Sequence, residues 1–89
     1  MIDVIKTMNE KDRLRLAICL ADSNMSNISY DKKEMLAMAD SRLREIDEEY
    51  RTKYVNMRKY GSVLHTTTMI TELAPEEKNQ IVLYLYNNV

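Results

Sequence analysis

Apolar residues recur three and four positions apart along most of the chain, a spacing that predicts α-helices. Over 10–22 the apolar positions cover a broad surface, which indicates a central helix with several neighbours. Asn9 and Thr7 are both suitable N-terminal caps for this helix, and Thr7 with Glu10 fits a capping box. The same spacing over 2–7 predicts a short helical turn before it.

The segment 31–60 contains neither Gly nor Pro and predicts one long helix, about 45 Å in length at a rise of about 1.5 Å per residue. Asp31 with Glu34 fits a capping box at its start, and Gly61 follows it where a left-handed cap would end a helix. We expect the helices 10–22 and 75–86 to cover the first half of its apolar stripe. The stripe has heptad-like spacing and consists of Leu36, Ala39, Leu43, Ile46, Tyr50, Met57 and Tyr60, with Lys53 as a polar interruption.

The segment 63–73 is ambiguous. Its β-branched residues permit a short strand, but no partner strand is visible, so helix or irregular structure is favoured. Pro75 at a first helical position, followed by two glutamates, predicts the last helix over 75–86. Together these patterns predict an all-α fold, a single helical domain over 1–89 with three helices organised on the long one.

Composition adds an expectation of self-association. The chain has 89 residues, near the lower end of what one hydrophobic core can stabilise, and its seven Met and six Tyr occur without any Phe or Trp. Met and Tyr suit adaptable, half-exposed contacts. We therefore expect a homo-oligomer, in which Arg42 would face the partner's Asp47 in a parallel pairing of the long helices.

Charge and cysteine content restrict the class of partner and the cellular compartment that we expect. A formal charge of −1 with interspersed acids and bases disfavours a general nucleic-acid binder. The single cysteine, Cys19, excludes an intramolecular disulfide and, among apolar neighbours, predicts a buried thiol in a reducing compartment. No signal sequence and no apolar run of membrane-spanning length are visible. We expect a cytoplasmic protein, in the host cytoplasm if the chain is viral, without a membrane partner.

Catalytic chemistry has little support in these residues. One His, one Cys and one Gly leave neither a glycine-rich phosphate loop nor a Cys/His metal cluster, so we expect no metal and no cofactor. His65 lies among hydroxyl residues, but hydroxyls that bond the backbone explain this segment better than a nucleophile with its base. The carboxylates of Asp47, Glu48 and Glu49 are interpreted as a solvated helix face. We expect a protein that is not an enzyme.

The leading hypothesis is a non-enzymatic helical protein–protein interaction module that acts as an adaptor or inhibitor of a partner macromolecule. A phage or viral modulator of a host protein is one compatible origin. The predicted partner-binding residues are Tyr50, Arg51, Tyr54, Met57, Arg58 and Tyr60.

The alternative is a small oligomeric protein that binds nucleic acid or a nucleotide. Arginines recur every seven residues along the long helix and share one ridge, and neighbouring tyrosines could stack on bases. The phosphate-binding residues would be Arg44, Arg51, Arg58 and Lys59. Pairing of these cations with acidic residues of the same helix is the simpler interpretation.

Arg51→Glu separates the two hypotheses. For an interaction module we expect weak binding to a generic nucleic acid that the substitution leaves unchanged, because no phosphate contact is lost. Fluorescence anisotropy with a labelled oligonucleotide over a series of salt concentrations measures this. A strongly salt-dependent affinity that Arg51→Glu abolishes would instead support the alternative.

Overall fold

The computed structural model describes residues 1–23, 31–52 and 60–88. Within these ranges the chain forms six helices and no strand, so the predicted all-α class is confirmed. The helices are α1 (Ile2–Thr7), α2 (Glu10–Asp22), α3 (Lys32–Ile46), α4 (Glu48–Thr52), α5 (Gly61–Thr71) and α6 (Pro75–Asn87). The described part of the fold therefore has more and shorter helices than the predicted three.

Helix α2 is the centre of the fold because its apolar residues form a broad surface that several helices can cover. It packs against α3, α5 and α6. Its buried side chains are Leu14, Leu16, Ala17, Ile18, Cys19 and Leu20. Complete burial of one such Leu or Ile side chain contributes about 1.5–3 kcal/mol, so α2 supplies much of the energy that holds the other helices together.

Of the two predicted N-terminal caps of α2, Asn9 is the one that the structure shows. The backbone amide of Asp12 donates to Asn9 Oδ1 at 2.9 Å, and α2 occupies the predicted range 10–22. The Thr7 hydroxyl instead donates to the carbonyl of Val4 at 2.8 Å, so it ends α1 and does not cap α2. The predicted turn over 2–7 is helix α1, and α6 begins at Pro75 as expected, one residue longer than predicted.

The prediction of one helix over 31–60 is wrong. Helix α3 starts as predicted, with the Glu34 amide donating to the Asp31 carboxylate at 3.0 Å, but it ends at Ile46. Asp47 has an extended backbone, with φ −119° and ψ 102°, and α4 begins directly after it. Contacts of the Asp47 side chain with other helices, described below, outweigh the local preference for helix. Residues 53–59 lie outside the described residues.

The first half of the predicted apolar stripe lies in the core. Ala39 and Leu43 are fully buried, and Leu36 and Ile46 pack against the core at its edge. Helix α2 makes the main contact with this side of α3, as its apolar surface predicted. Only residues 50–52 and 60 of the second half are described.

Gly61 begins a helix and does not end one. Helix α5 includes Gly61, so the predicted left-handed cap is wrong, and the ambiguous segment 63–73 is helical over most of its length. A Cβ atom at Gly61 would meet nothing within 4 Å, so packing does not require glycine there. The contact that fixes this end of α5 is made by Tyr60, the residue before it.

Asn9→Ala tests the cap of α2. We expect the free energy of unfolding to fall by about 1 kcal/mol, because the Asp12 amide loses its acceptor at the start of the central helix. Thr7→Ala is the matched control, since its hydroxyl does not cap α2, and a smaller loss is expected. Urea denaturation followed by circular dichroism measures both variants, and equal losses would contradict the assignment of the cap to Asn9.

Candidate functional site

Polar contacts between the helices converge on Arg15, in the middle of α2. Its guanidinium forms ion pairs with Asp12 at 2.9 Å and with Asp47 at 2.8 Å. Its Cζ atom lies 4.0 Å from the centre of the Tyr60 ring, within cation–π range. Through Arg15, α2 therefore contacts both the residue that ends α3 and the residue that precedes α5. We call Asp12, Arg15, Asp47 and Tyr60 the Asp47 junction.

Asp47 is a buried carboxylate. It is 6% exposed, so its predicted place on a solvated helix face is wrong, whereas Glu48 and Glu49 are exposed as expected. Burial by itself would raise the pKa of Asp47. The hydrogen bond from Arg15 and one from the Tyr50 backbone amide, at 3.3 Å, outweigh burial and hold that pKa below its usual value. Asp47 is therefore charged, and its carboxylate also caps the start of α4.

The side chains proposed for a parallel dimer contact are both engaged within the chain. Arg42 donates to Glu10 of α2 at 2.8 Å and to Glu45 at 2.9 Å. Asp47 is bound by Arg15. The Arg42–Asp47 pair between two copies is therefore not supported, and self-association stays a prediction that needs another contact.

Helix α4 turns the chain back toward α3. The Tyr50 hydroxyl donates to Oδ1 of Asp40, and Arg44 donates to Oδ2 of the same carboxylate at 2.9 Å. The Arg44 guanidinium also lies 5.4 Å from the centre of the Tyr50 ring. In a straight helix residues 40 and 50 would be about 15 Å apart along the axis, too far for this hydrogen bond. The Tyr50–Asp40 contact therefore depends on the interruption at Asp47.

The predicted arginine ridge makes local contacts where it is described. Arg44 is paired with Asp40, and Arg51 Nη1 donates to the carbonyl oxygen of Arg44 at 3.1 Å. That carbonyl belongs to the last turn of α3, where helix carbonyls lack intrahelical partners. Arg58 and Lys59 lie outside the described residues, so the predicted phosphate site stays a prediction.

Three of the six predicted partner-binding residues are described. Tyr50 and Arg51 both contact Arg44, which brings them together beside α3. Tyr60 is partly buried against Arg15 in the Asp47 junction. The other predicted residues, Tyr54, Met57 and Arg58, lie outside the described residues.

An open groove of about 340 Å³ lies on the surface of α3 next to this cluster. Its described lining consists of Lys33, Leu36, Ala37 and Asp40. Leu36 and Ala37 supply apolar surface, while Lys33 and Asp40 add one charge of each sign. We call it the α3 groove. The groove was not predicted from the sequence, although the spacing i, i+3, i+4 and i+7 of these residues places them on one helix face.

The hydroxyl residues around His65 bond the helix backbone, as the sequence favoured. Thr66, Thr67 and Thr68 donate to the carbonyls four residues earlier, at 2.9, 2.8 and 3.1 Å. The His65 side chain is exposed. These contacts are the ordinary way in which threonine is accommodated inside a helix.

Cys19 is a buried thiol, in agreement with the sequence. Burial raises its pKa, and the charge of Asp22 adds to the rise, so the thiol stays protonated at neutral pH. Within 1–23, 31–52 and 60–88, no group of three His, Cys, Asp or Glu side chains is placed to hold a metal ion. None of the helices in these ranges has both the length and the apolar character needed to cross a membrane.

Comparisons with known proteins add no assignment. No protein-family model matches the chain, and no curated protein or solved structure is significantly similar to it. Function is therefore inferred from the geometry of the described residues.

The Tyr50 hydroxyl provides a direct test of the contact between α4 and α3. Burial and the hydrogen bond to Asp40 raise the pKa of Tyr50 to about 12. Asp40→Asn should bring this pKa back toward its ordinary value of 10.0, because the charged acceptor is lost. A pH titration of the tyrosine Cζ signals by NMR measures the shift. In the control Arg44→Gln the acceptor remains, so the pKa should stay high; an unchanged pKa in Asp40→Asn would contradict the contact.

The same shift predicts how Tyr50 affects stability at alkaline pH. Because its pKa is higher in the folded state than in the unfolded state, its contribution is complete below pH 10 and is lost as the pH rises from 10 to about 12. Tyr50→Phe removes the ionisable group and should flatten this part of the stability profile.

Proposed function

We propose that this chain is a non-enzymatic helical module that binds a partner protein through the outer surface of α3 and acts as an adaptor or inhibitor. The observation that carries the proposal is the α3 groove together with the Tyr50–Asp40–Arg44 cluster. Asp40 belongs to both, so the groove and the cluster form one continuous surface.

The chemistry of this surface suits a protein partner. Fully buried centres of protein interfaces are apolar with few charges, and their rims are polar. Leu36 and Ala37 would supply such a centre, and Lys33 and Asp40 such a rim. Tyr and Arg are also the residue types most often found at binding hot spots, and both types border the groove.

The cluster is already ordered before any partner binds. Asp40 holds both Tyr50 and Arg44, and Arg51 is anchored to the backbone of α3. Binding therefore costs less side-chain entropy than it would with unattached side chains. Ordered Tyr and Arg side chains favour recognition of one partner over non-specific adhesion.

The other exposed large apolar residues of the described chain do not form a comparable binding surface. Val4, Met69 and Leu83 are 56%, 40% and 48% exposed and belong to three different helices. Single exposed apolar side chains are common on monomeric proteins and need no partner. The α3 groove differs because apolar and charged residues combine there in one concave surface.

The same proposal includes action by occlusion. A chain of 10.5 kDa that binds by one helix face can block a partner's surface without any chemistry of its own. A cytoplasmic setting fits the buried, protonated thiol of Cys19, and a phage or viral source acting on a host protein is compatible with such a module.

Ala37→Glu tests the proposal, with Ser41→Glu as the matched control. Both positions are exposed on α3 and both variants gain the same charge, but only Ala37 lines the groove. A partner captured from the source cells is purified, and its affinity for each variant is measured by calorimetry. We expect Ala37→Glu to weaken binding by tenfold or more, a loss of about 1.4 kcal/mol, and Ser41→Glu to bind like the wild type.

Equal binding by the two variants would contradict the use of the groove. Sedimentation of the same proteins tests the expected homo-oligomer. If the wild type sediments above 10.5 kDa and Ala37→Glu does not, the occupant of the groove is a second copy of this chain.

A further inference from the structure

The residues at the end of α3 encode that end only in part, through the Asp47 side chain that caps α4. The segment 32–52 contains no Gly and no Pro. Asp is a weak helix former but is tolerated in helix interiors, and α3 already includes Asp40. The helix nevertheless ends at Ile46, and Asp47 adopts an extended backbone.

One contact that stabilises the interruption comes from α2, and others are made between residues within the segment 32–52. Arg15 of α2 binds the Asp47 carboxylate from a position 32 residues away. Within the segment, Tyr50 reaches back to Asp40, and the Tyr50 amide donates to Asp47. Both of these contacts require the interruption, so they follow from it. Arg15 is the group that acts on Asp47 independently of the local chain.

We propose that the Arg15–Asp47 ion pair is a latch that selects between two helical arrangements of residues 32–52. With the pair closed, α3 and α4 are separate helices, as seen here. With the pair open, Lys32–Thr52 forms one continuous helix.

Opening the latch changes the surface of α3. A continuous helix separates Tyr50 from Asp40 by about 15 Å along the axis, so their hydrogen bond is lost. Asp40, which lines the α3 groove, then loses its hydrogen bond from Tyr50 and keeps its ion pair with Arg44. The latch thereby couples the ion pair between Arg15 of α2 and Asp47 to Asp40, at the rim of the α3 groove. This goes beyond the proposed function and does not depend on the identity of a partner.

Arg15→Gln tests the latch, because it opens the pair and leaves the sequence of 32–52 unchanged. Any helix gained at Asp47 then cannot come from a change in local propensity. Arg13→Gln is the matched control on the same helix, since the Arg13 side chain reaches Tyr84 at 3.4 Å and not Asp47.

The readout is NMR on the full chain. In Arg15→Gln we expect the Asp47 Cα shift to move from extended to helical values and the ring contacts of Tyr50 with Arg44 to disappear. Amide exchange at Glu48 should slow by about tenfold, because in a continuous helix this amide donates to the Arg44 carbonyl. Arg13→Gln should leave all three signals at their wild-type values.

A folded Arg15→Gln protein that keeps the extended Asp47 would overturn the proposal, and so would one in which residues 47–52 become coil. If Arg15→Gln fails to fold, Asp47→Ala is read by the same signals at Glu48 and Tyr50. Unfolding of both variants would also overturn it, because the pair would then be needed for the fold as a whole.

Discussion

The ion pair between Arg15 and Asp47 is the contact that links the break between α3 and α4 to the rest of the fold. It joins the central helix to the residue where α3 ends, while the Tyr60 ring against the same guanidinium brings the start of α5 to that point. Removing one member of a buried ion pair costs about 3–5 kcal/mol, since the other charge is left without compensation. The Arg15–Asp47 pair is part-buried, so its loss should cost less than this and leave most of the roughly 5–15 kcal/mol by which a small domain is stable. Replacing both members by apolar residues need not destabilise a protein, which suggests that the pair matters most for selecting one arrangement.

The interaction surface proposed for α3 is a consequence of that arrangement. Ending α3 at Ile46 lets Tyr50 return to Asp40, which is one of the two charged residues that line the α3 groove. An uninterrupted helix would leave a straight face with no such cluster. The proposed function therefore relies on a tertiary contact made by Asp47, beyond the end of α3, and surface and core cannot be treated as separate parts of this small molecule.

Local signals were sufficient to predict much of the fold. The bounds of α2 and the caps at Asn9 and Asp31 depend on side chains within three residues of each helix start, and Pro75 marks α6 for the same reason. The end of α3 was not predicted in this way, because Asp47 has a partner in α2, Arg15, that is 32 residues away in the sequence. Arg15 did carry a usable signal, since a cation between Leu14 and Leu16 in an apolar helix must find a partner when it is buried. The prediction from Gly61 was wrong for a related reason: its neighbour Tyr60 contacts the distant Arg15, and Gly61 is the first residue of α5.

The placement of Arg15 also has a consequence for the order of events during folding. Helices grow within nanoseconds per residue, whereas the collapse that brings distant segments together takes up to many microseconds. Early in folding, the Asp47 cap is a weak local stop without Gly or Pro beside it, and we expect helix growth to continue through Asp47 before α2 has docked. If the latch acts as proposed, the arriving Arg15 guanidinium introduces the interruption, and the native chain reaches its final form by losing helical hydrogen bonds that it had already made.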